Sequence, residues 1–254
     1  MLIPSYTSKP VPASRMNLFS AWLVHLYTAT GALAAFFGTL AVFSGNYRAA
    51  LLWMVGATLV DATDGLLARK ARVKERLPAF DGARLDDVVD YLTFVFLPVL
   101  FLYMSRALPE GWSGAIASVM LLSSAYGFAA SDAKSNDHFF TGFPSYWNIV
   151  ALYLHIAGLP AVWNAVILLV LSALVFWRIG YVYPSRTPTL RPLTIGLGVC
   201  WGVLVVAMIL ALPRVPATLF AASFVFPVYY TVLSFVLHAR RPVQTGYTRI
   251  GSEP

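Results

Sequence analysis

The sequence predicts an all-α, polytopic membrane protein with about eight transmembrane helices and both termini in the cytoplasm. Three observations predict it. Of 254 residues, 59% are hydrophobic and only 11% are charged, whereas a soluble domain carries about a quarter charged residues. The mean hydropathy is +0.71 over the whole length, more apolar surface than one soluble core can hide, and the bilayer is the solvent that accepts the excess. The apolar residues fall into long runs bounded by Lys and Arg, with no strand-like alternation to compete.

The runs are 18–43, 47–68, 84–105, 112–131, 144–158, 160–182, 191–212 and 215–238. The fifth is short and is separated from the sixth by Gly158 and Pro160, which marks a tilted helical hairpin. Residues 1–17 carry Pro4, Pro10 and Pro12 with Lys9 and Arg15 and no apolar core, so they read as an interfacial lead-in rather than a signal peptide. The whole chain, 1–254, reads as one integral membrane domain without a soluble module or an internal repeat. Cys200 is the single cysteine and lies inside an apolar run, so it has no partner in the chain for a disulfide.

With the N-terminus inside, 15 of the 18 Lys and Arg residues fall on inside segments. The outside segments hold only Arg48, Arg106 and Arg214. That bias fixes the orientation. The formal charge of +7 is therefore topological first, and attractive to anionic lipid second. A nucleic-acid partner is excluded, because that would need a basic face on a soluble domain.

Two helix ends are wrong for plain membrane spans. The second run closes on Asp61-Ala62-Thr63-Asp64-Gly65-Leu66-Leu67-Ala68-Arg69, and the third opens on Asp81-Gly82-Ala83-Arg84-Leu85-Asp86-Asp87-Val88-Val89-Asp90. An ionised Asp in the bilayer core costs about 2.5–3.5 kcal/mol on insertion scales and needs a partner. Asp61 and Asp64 are three apart and share a helix face with Gly65 and Ala68; Gly82, Asp86 and Asp90 are spaced by four and form another. The short basic loop 70–81 makes the two helices neighbours, so four carboxylates meet and require a cation. An all-oxygen ligand set selects Mg²⁺ or Mn²⁺, with Ca²⁺ also open, over zinc, and two ions clamping a pyrophosphate is its natural use. Small side chains at Gly65, Ala68 and Gly82 open a slot for a nucleotide, though each alone is an ordinary packing residue. Arg69 reaches a phosphate from one turn further on. Asp81 reads as the N-cap before Gly82, and Asp87 lies off the shared face.

The pattern Asp61-x-x-Asp64-Gly65-x-x-Ala68-Arg69, then Gly82-x-x-x-Asp86-x-x-x-Asp90, resembles the signature of the CDP-alcohol phosphatidyltransferase superfamily at all eight positions. Twelve residues separate Arg69 from Gly82, a longer gap than is common in that superfamily and one that marks a subgroup. Pro78–Gly82, Leu85–Phe94, Ser131–Lys134, Asp137–Phe140 and Gly142–Asn148 are similar to the bacterial phosphatidylcholine synthase branch. The resemblance implies transfer of a phosphatidyl group from CDP-diacylglycerol to choline with release of CMP, in the bacterial cytoplasmic membrane and with the site at the cytoplasmic leaflet. It implies Asp61, Asp64, Asp86 and Asp90 as ligands of Mn²⁺ or Mg²⁺, in two ions, and Asp90 as general base. It implies Gly65, Ala68, Arg69 and Gly82 as the lining of the CDP site, and a homodimer as a family habit.

A quaternary ammonium is held by aromatic faces with acidic help. Tyr146, Trp147, Asn148 and Asp132 are the candidates, at cytoplasmic depth after the fourth run, although Trp and Tyr also gather at interfaces regardless of substrate. A phosphorylated acceptor would need its own basic pocket, and Arg178, Arg186 and Arg191 read instead as topological charge. The rivals are the same chemistry on serine or glycerol phosphate, and a cation transporter. The transporter is disfavoured by aspartates gathered at one membrane face with no mirrored half.

Overall fold

The computed structural model describes residues 15–130, 139–182 and 187–240. Asp132, Lys134, Asp137, His138 and Arg186 lie outside the described residues, as does nearly all of the N-terminal lead-in. The fold is helical. Helices α1 (Arg15–Phe43), α2 (Tyr47–Lys70) and the one-turn α3 (Val73–Arg76) are followed by α4 (Gly82–Asp90), which continues through a π-helical turn, Tyr91–Phe96, into α5 (Leu97–Met104). Then come α6 (Ser113–Ala129), β1 (Phe139–Thr141), α7 (Trp147–Ala157), α8 (Ala161–Leu174), β2 (Gly180–Val182), α9 (Arg191–Ala211), α10 (Ala217–Ser223) and α11 (Val225–Ala239).

Among the described residues, five helical stretches are long and apolar enough to cross a membrane: Leu18–Phe43, Tyr47–Lys70, Gly82–Met104, Arg191–Ala211 and Ala217–Ala239. Three shorter apolar helices, α6, α7 and α8, occupy the fourth, fifth and sixth expected runs. The sixth run differs from expectation at its end. Its helix stops at Leu174, and Gly180–Val182 instead pairs antiparallel with Phe139–Thr141, Phe140 opposite Tyr181. The return is fastened by backbone bonds: Phe143 N–H donates to Leu174 O at the helix end and Gly142 N–H to Ile179 O just before β2. The break between α7 and α8 falls where Gly158 stands in the left-handed region at φ 57° and caps α7.

The described residues divide into two compact units, one within Met1–Phe128 and Ser145–Leu169, the other within Ala129–Pro144 and Val170–Pro254. In the second unit, the β1–β2 pair is held by α11: Ser234 Oγ accepts from Val182 N–H, Tyr230 O–H donates to Val182 O, and His238 Nδ1 accepts from Gly180 N–H.

The first unit is organised on α1. It forms an antiparallel hairpin with α2 through a tight turn closed by Asn46, whose side chain accepts from Ala49 N–H at 3.1 Å. Phe37 stacks on Trp53 with ring centroids 5.3 Å apart. Along another stripe of α1, Gly31 and Gly38 let the third span approach closely, because an added Cβ would run into Val89 and Leu97 respectively. Small residues at such crossings are how membrane helices gain contact without a hydrophobic driving force. Replacing Gly38 by Leu should drive α1 off Leu97 and lower stability by about 1–3 kcal/mol. A lowered midpoint in detergent thermal unfolding is the check, with an unchanged midpoint counting against this packing.

The π turn has a local cause. Pro98 has no N–H to offer the ladder, and just before it the Leu97 N–H reaches back to Leu92 O. Thr93 Oγ1 adds a bond to Val89 O at 3.0 Å, and Tyr91 O–H ties the turn to α6 through Leu121 O at 3.0 Å. Such single-turn bulges recur at functional sites. This one begins at the residue after Asp90.

Candidate active site

Three side chains converge where α2 and α4 meet. Asp61, Asp86 and Asp90, each partly buried, offer carboxylate oxygens that all lie within 4.8 Å of one another. Asp86 and Asp90 come from one face of α4, four residues apart, and Asp61 comes from α2. Asp81 sets the entry of α4: its side chain accepts from Ala83 N–H and Arg84 N–H, the N-cap that the sequence predicts. Its contact with Arg84 Nε at 3.2 Å is exposed on both sides and adds little.

Asp64, the fourth expected ligand, is not among these three. It is buried, 6% exposed, and accepts a hydrogen bond from Thr28 Oγ1 of α1 at 2.9 Å. Helical geometry explains the split. Residues three apart sit roughly 60° apart around an α-helix, enough for Asp61 to address α4 while Asp64 leans on α1. Next to it, Tyr27 Oη and Thr63 Oγ1 lie 2.8 Å apart, a second polar rung between the same two helices. Asp87 also stands outside the cluster.

Three carboxylates this close repel by roughly 3 kcal/mol per pair at an effective dielectric of 20. A divalent cation is the economical remedy. The donor set fits a hard ion: oxygens sharing Mg²⁺ or Mn²⁺ at about 2.1 Å lie no more than about 4.2 Å apart, so small rotations of the side chains close the set.

The residues expected to form a slot divide. Arg69 folds back over its own helix, its Nη1 3.4 Å from where a Cβ on Gly65 would be. Gly65 and Ala68 are partly exposed on that face. Gly82 packs against the imidazole of His25, 2.6 Å from Cε1 to where its Cβ would stand.

The expected acceptor residues take different positions. Trp147 is fully buried, and its indole N–H donates to Ser124 Oγ at 2.7 Å, an oxygen that also accepts from Ser145 Oγ. Asn148 donates from Nδ2 to Thr58 Oγ1 at 3.0 Å, one turn from Asp61 on α2. Tyr146 is partly exposed at the start of α7. Sequence reasoning passed over α1, although His25 and Thr28, polar residues three apart inside the first apolar run, were the available signal.

No protein-family model matches the chain. Curated relatives do. A phosphatidylcholine synthase of Pseudomonas aeruginosa is 41% identical over 215 residues, covering 83% of this chain and 90% of that protein. One from Borreliella burgdorferi is 39% identical over 180 residues, 71% of this chain and 77% of that protein. One from Rhizobium meliloti is 34% identical over 232 residues, 91% and 95% of the two chains.

Proposed function

Since the chain belongs to the phosphatidylcholine synthases, we propose that it condenses CDP-diacylglycerol with choline to give phosphatidylcholine and CMP at the Asp61–Asp86–Asp90 cluster. The carrying observation is the convergence of those three carboxylates within 4.8 Å. Asp61, Asp86 and Asp90, with Asp64 one turn along α2, would hold one or two Mn²⁺ or Mg²⁺ ions. When bound, such an ion draws charge from the pyrophosphate oxygens and stabilises the departing CMP.

The chain's own residues do the rest. Asp90 accepts the proton of the choline hydroxyl as its oxygen attacks the phosphorus that carries diacylglycerol. The new P–O bond forms as the pyrophosphate P–O bond breaks, and the electron pair leaves with CMP. Thr28 holds the Asp64 carboxylate, limiting its rotation. Arg69 offers a guanidinium to a phosphate beside Gly65, Ala68 lines the nucleotide slot, and Gly82 borders it where it packs on the His25 ring. For the acceptor, Tyr146 and Asn148 are the described candidates. Trp147, buried between them in sequence and bonded to Ser124 Oγ, anchors the start of α7, and Asp132 belongs to the same proposal.

The orientation follows the same reading: eight spans, both termini at the cytoplasmic face of the bacterial inner membrane and the site at that leaflet. The eight apolar helical stretches and the bias of 15 basic residues in 18 support it.

The test is purified protein in lipid containing CDP-diacylglycerol, with choline, serine and glycerol phosphate supplied separately. Metal-dependent CMP release with choline is expected. Release with serine or glycerol phosphate and none with choline would move the chain to another acceptor.

A further inference from the structure

His25 lies outside the 61–90 motif, and the chemistry above makes no use of it. It stands on α1 one turn before Thr28 and is only 6% exposed. Phe80 and Trp22 flank its ring, with centroids 4.4 and 5.9 Å away. The ring turns its Nδ1–Cε1–Nε2 edge toward Gly82: a Cβ built there would lie 2.6, 3.2 and 3.7 Å from Cε1, Nδ1 and Nε2. Nε2 itself is buried and has no hydrogen-bond partner. A buried imidazole nitrogen left that way carries its desolvation penalty with no compensating bond. An aromatic hydrocarbon would fill the same space without that penalty. Gly82 thus admits the imidazole against α4, the ring filling the space a Cβ would take, and the ring brings with it a buried polar atom whose partner is not in the described chain.

We propose that His25 is a nucleotide-contacting residue, its Nε2 hydrogen-bonding a polar group of the cytidine 5′-phosphate half of CDP-diacylglycerol. The inference rests on the reading of this site as one for CDP-diacylglycerol. Helical rise decides which substrate half is involved. Gly82 precedes Asp90 by eight residues, about 12 Å along the axis. With the reacting phosphorus at Asp90, that distance suits a nucleoside monophosphate extending toward the helix start. Choline, whose oxygen and nitrogen are two carbons apart, cannot span it. Phe80 and Trp22 are 38% and 49% exposed, so a ligand reaches the nitrogen by displacing partly exposed rings rather than by opening a core.

The experiment compares wild type, His25→Phe (ring kept, nitrogen lost) and His25→Gln (polar end restored) by steady-state kinetics, with CMP as product inhibitor. His25→Phe should raise the KM for CDP-diacylglycerol and the inhibition constant of CMP by about tenfold each, the size of one lost hydrogen bond, with the KM for choline unchanged. His25→Gln should recover most of both. Constants within twofold of wild type for both variants, or a rise confined to the KM for choline, would overturn the assignment. If His25→Phe does not accumulate, mapping of diethyl pyrocarbonate labelling on the wild-type chain decides. CMP with Mn²⁺ should slow modification at His25, and labelling that CMP leaves unchanged overturns it. Wild-type CMP release in the same assay reports on the enzyme reading separately, so failure of that reading is distinguishable from failure of the His25 assignment.

Discussion

Replacing Asp90 by Asn is expected to lower choline-dependent CMP release by about 10²–10⁴-fold, the usual contribution of a positioned general base. Asn keeps the shape of the side chain and its place on α4, four residues from Asp86, but cannot accept the hydroxyl proton. The variant should therefore fold. It should also be more stable in the absence of metal than wild type, because one of three mutually repelling carboxylates is gone. CMP should still inhibit within a few-fold of wild type, since the slot residues on α2 are untouched. The measurement is single-turnover CMP release at saturating choline and Mn²⁺, with thermal unfolding as the control for folding. Full activity in Asp90→Asn would remove Asp90 from the proton transfer. Loss of activity together with loss of CMP inhibition would make it a metal ligand first and a base second.

The helical membrane class and the cluster were legible from particular residues, and what was missed has a physical cause. Apolar runs placed eight helical stretches, because a run bounded by Lys and Arg is a direct statement about solvent. The sixth run misled: 160–182 reads as continuous in hydropathy, yet the helix ends at Leu174 and the remainder turns back to pair β2 with β1. Short apolar runs do not distinguish helix from strand, and the pairing partner, Phe139–Thr141, is distant in sequence. The meeting of Asp61 with Asp86 and Asp90 followed from spacing and a short loop. The divergence of Asp64 did not, because its partner Thr28 lies 36 residues away on α1. Spacing within a helix reports which residues share a face, not which neighbouring helix that face meets. Trp147 illustrates the same limit: an aromatic at interfacial depth reads alike whether it faces a ligand or, as here, donates to a buried serine.

Stripping metal should abolish activity, and Mn²⁺ or Mg²⁺ should restore it, but the more discriminating readout is stability. In wild type, a divalent cation held by the three clustered carboxylates would turn their mutual repulsion into attraction. At a metal concentration of about 100 times its dissociation constant, binding adds about 2.7 kcal/mol to the folded state, visible as a rise in the detergent unfolding midpoint. Asp61→Asn removes the member of the three-carboxylate cluster that α2 contributes, leaving on α2 only Asp64, which is tied to Thr28 of α1, to join the Asp86–Asp90 pair. The expected sign is opposite in the two states. Metal-free Asp61→Asn unfolds at a higher temperature than metal-free wild type, yet gains much less from Mn²⁺, so the order of the two proteins inverts as metal is added. A ligand acting through surface charge alone would shift both proteins alike and would be mimicked by raising ionic strength. Parallel shifts would therefore remove Asp61 from the ion, and with it the link between α2 and α4 on which the site depends.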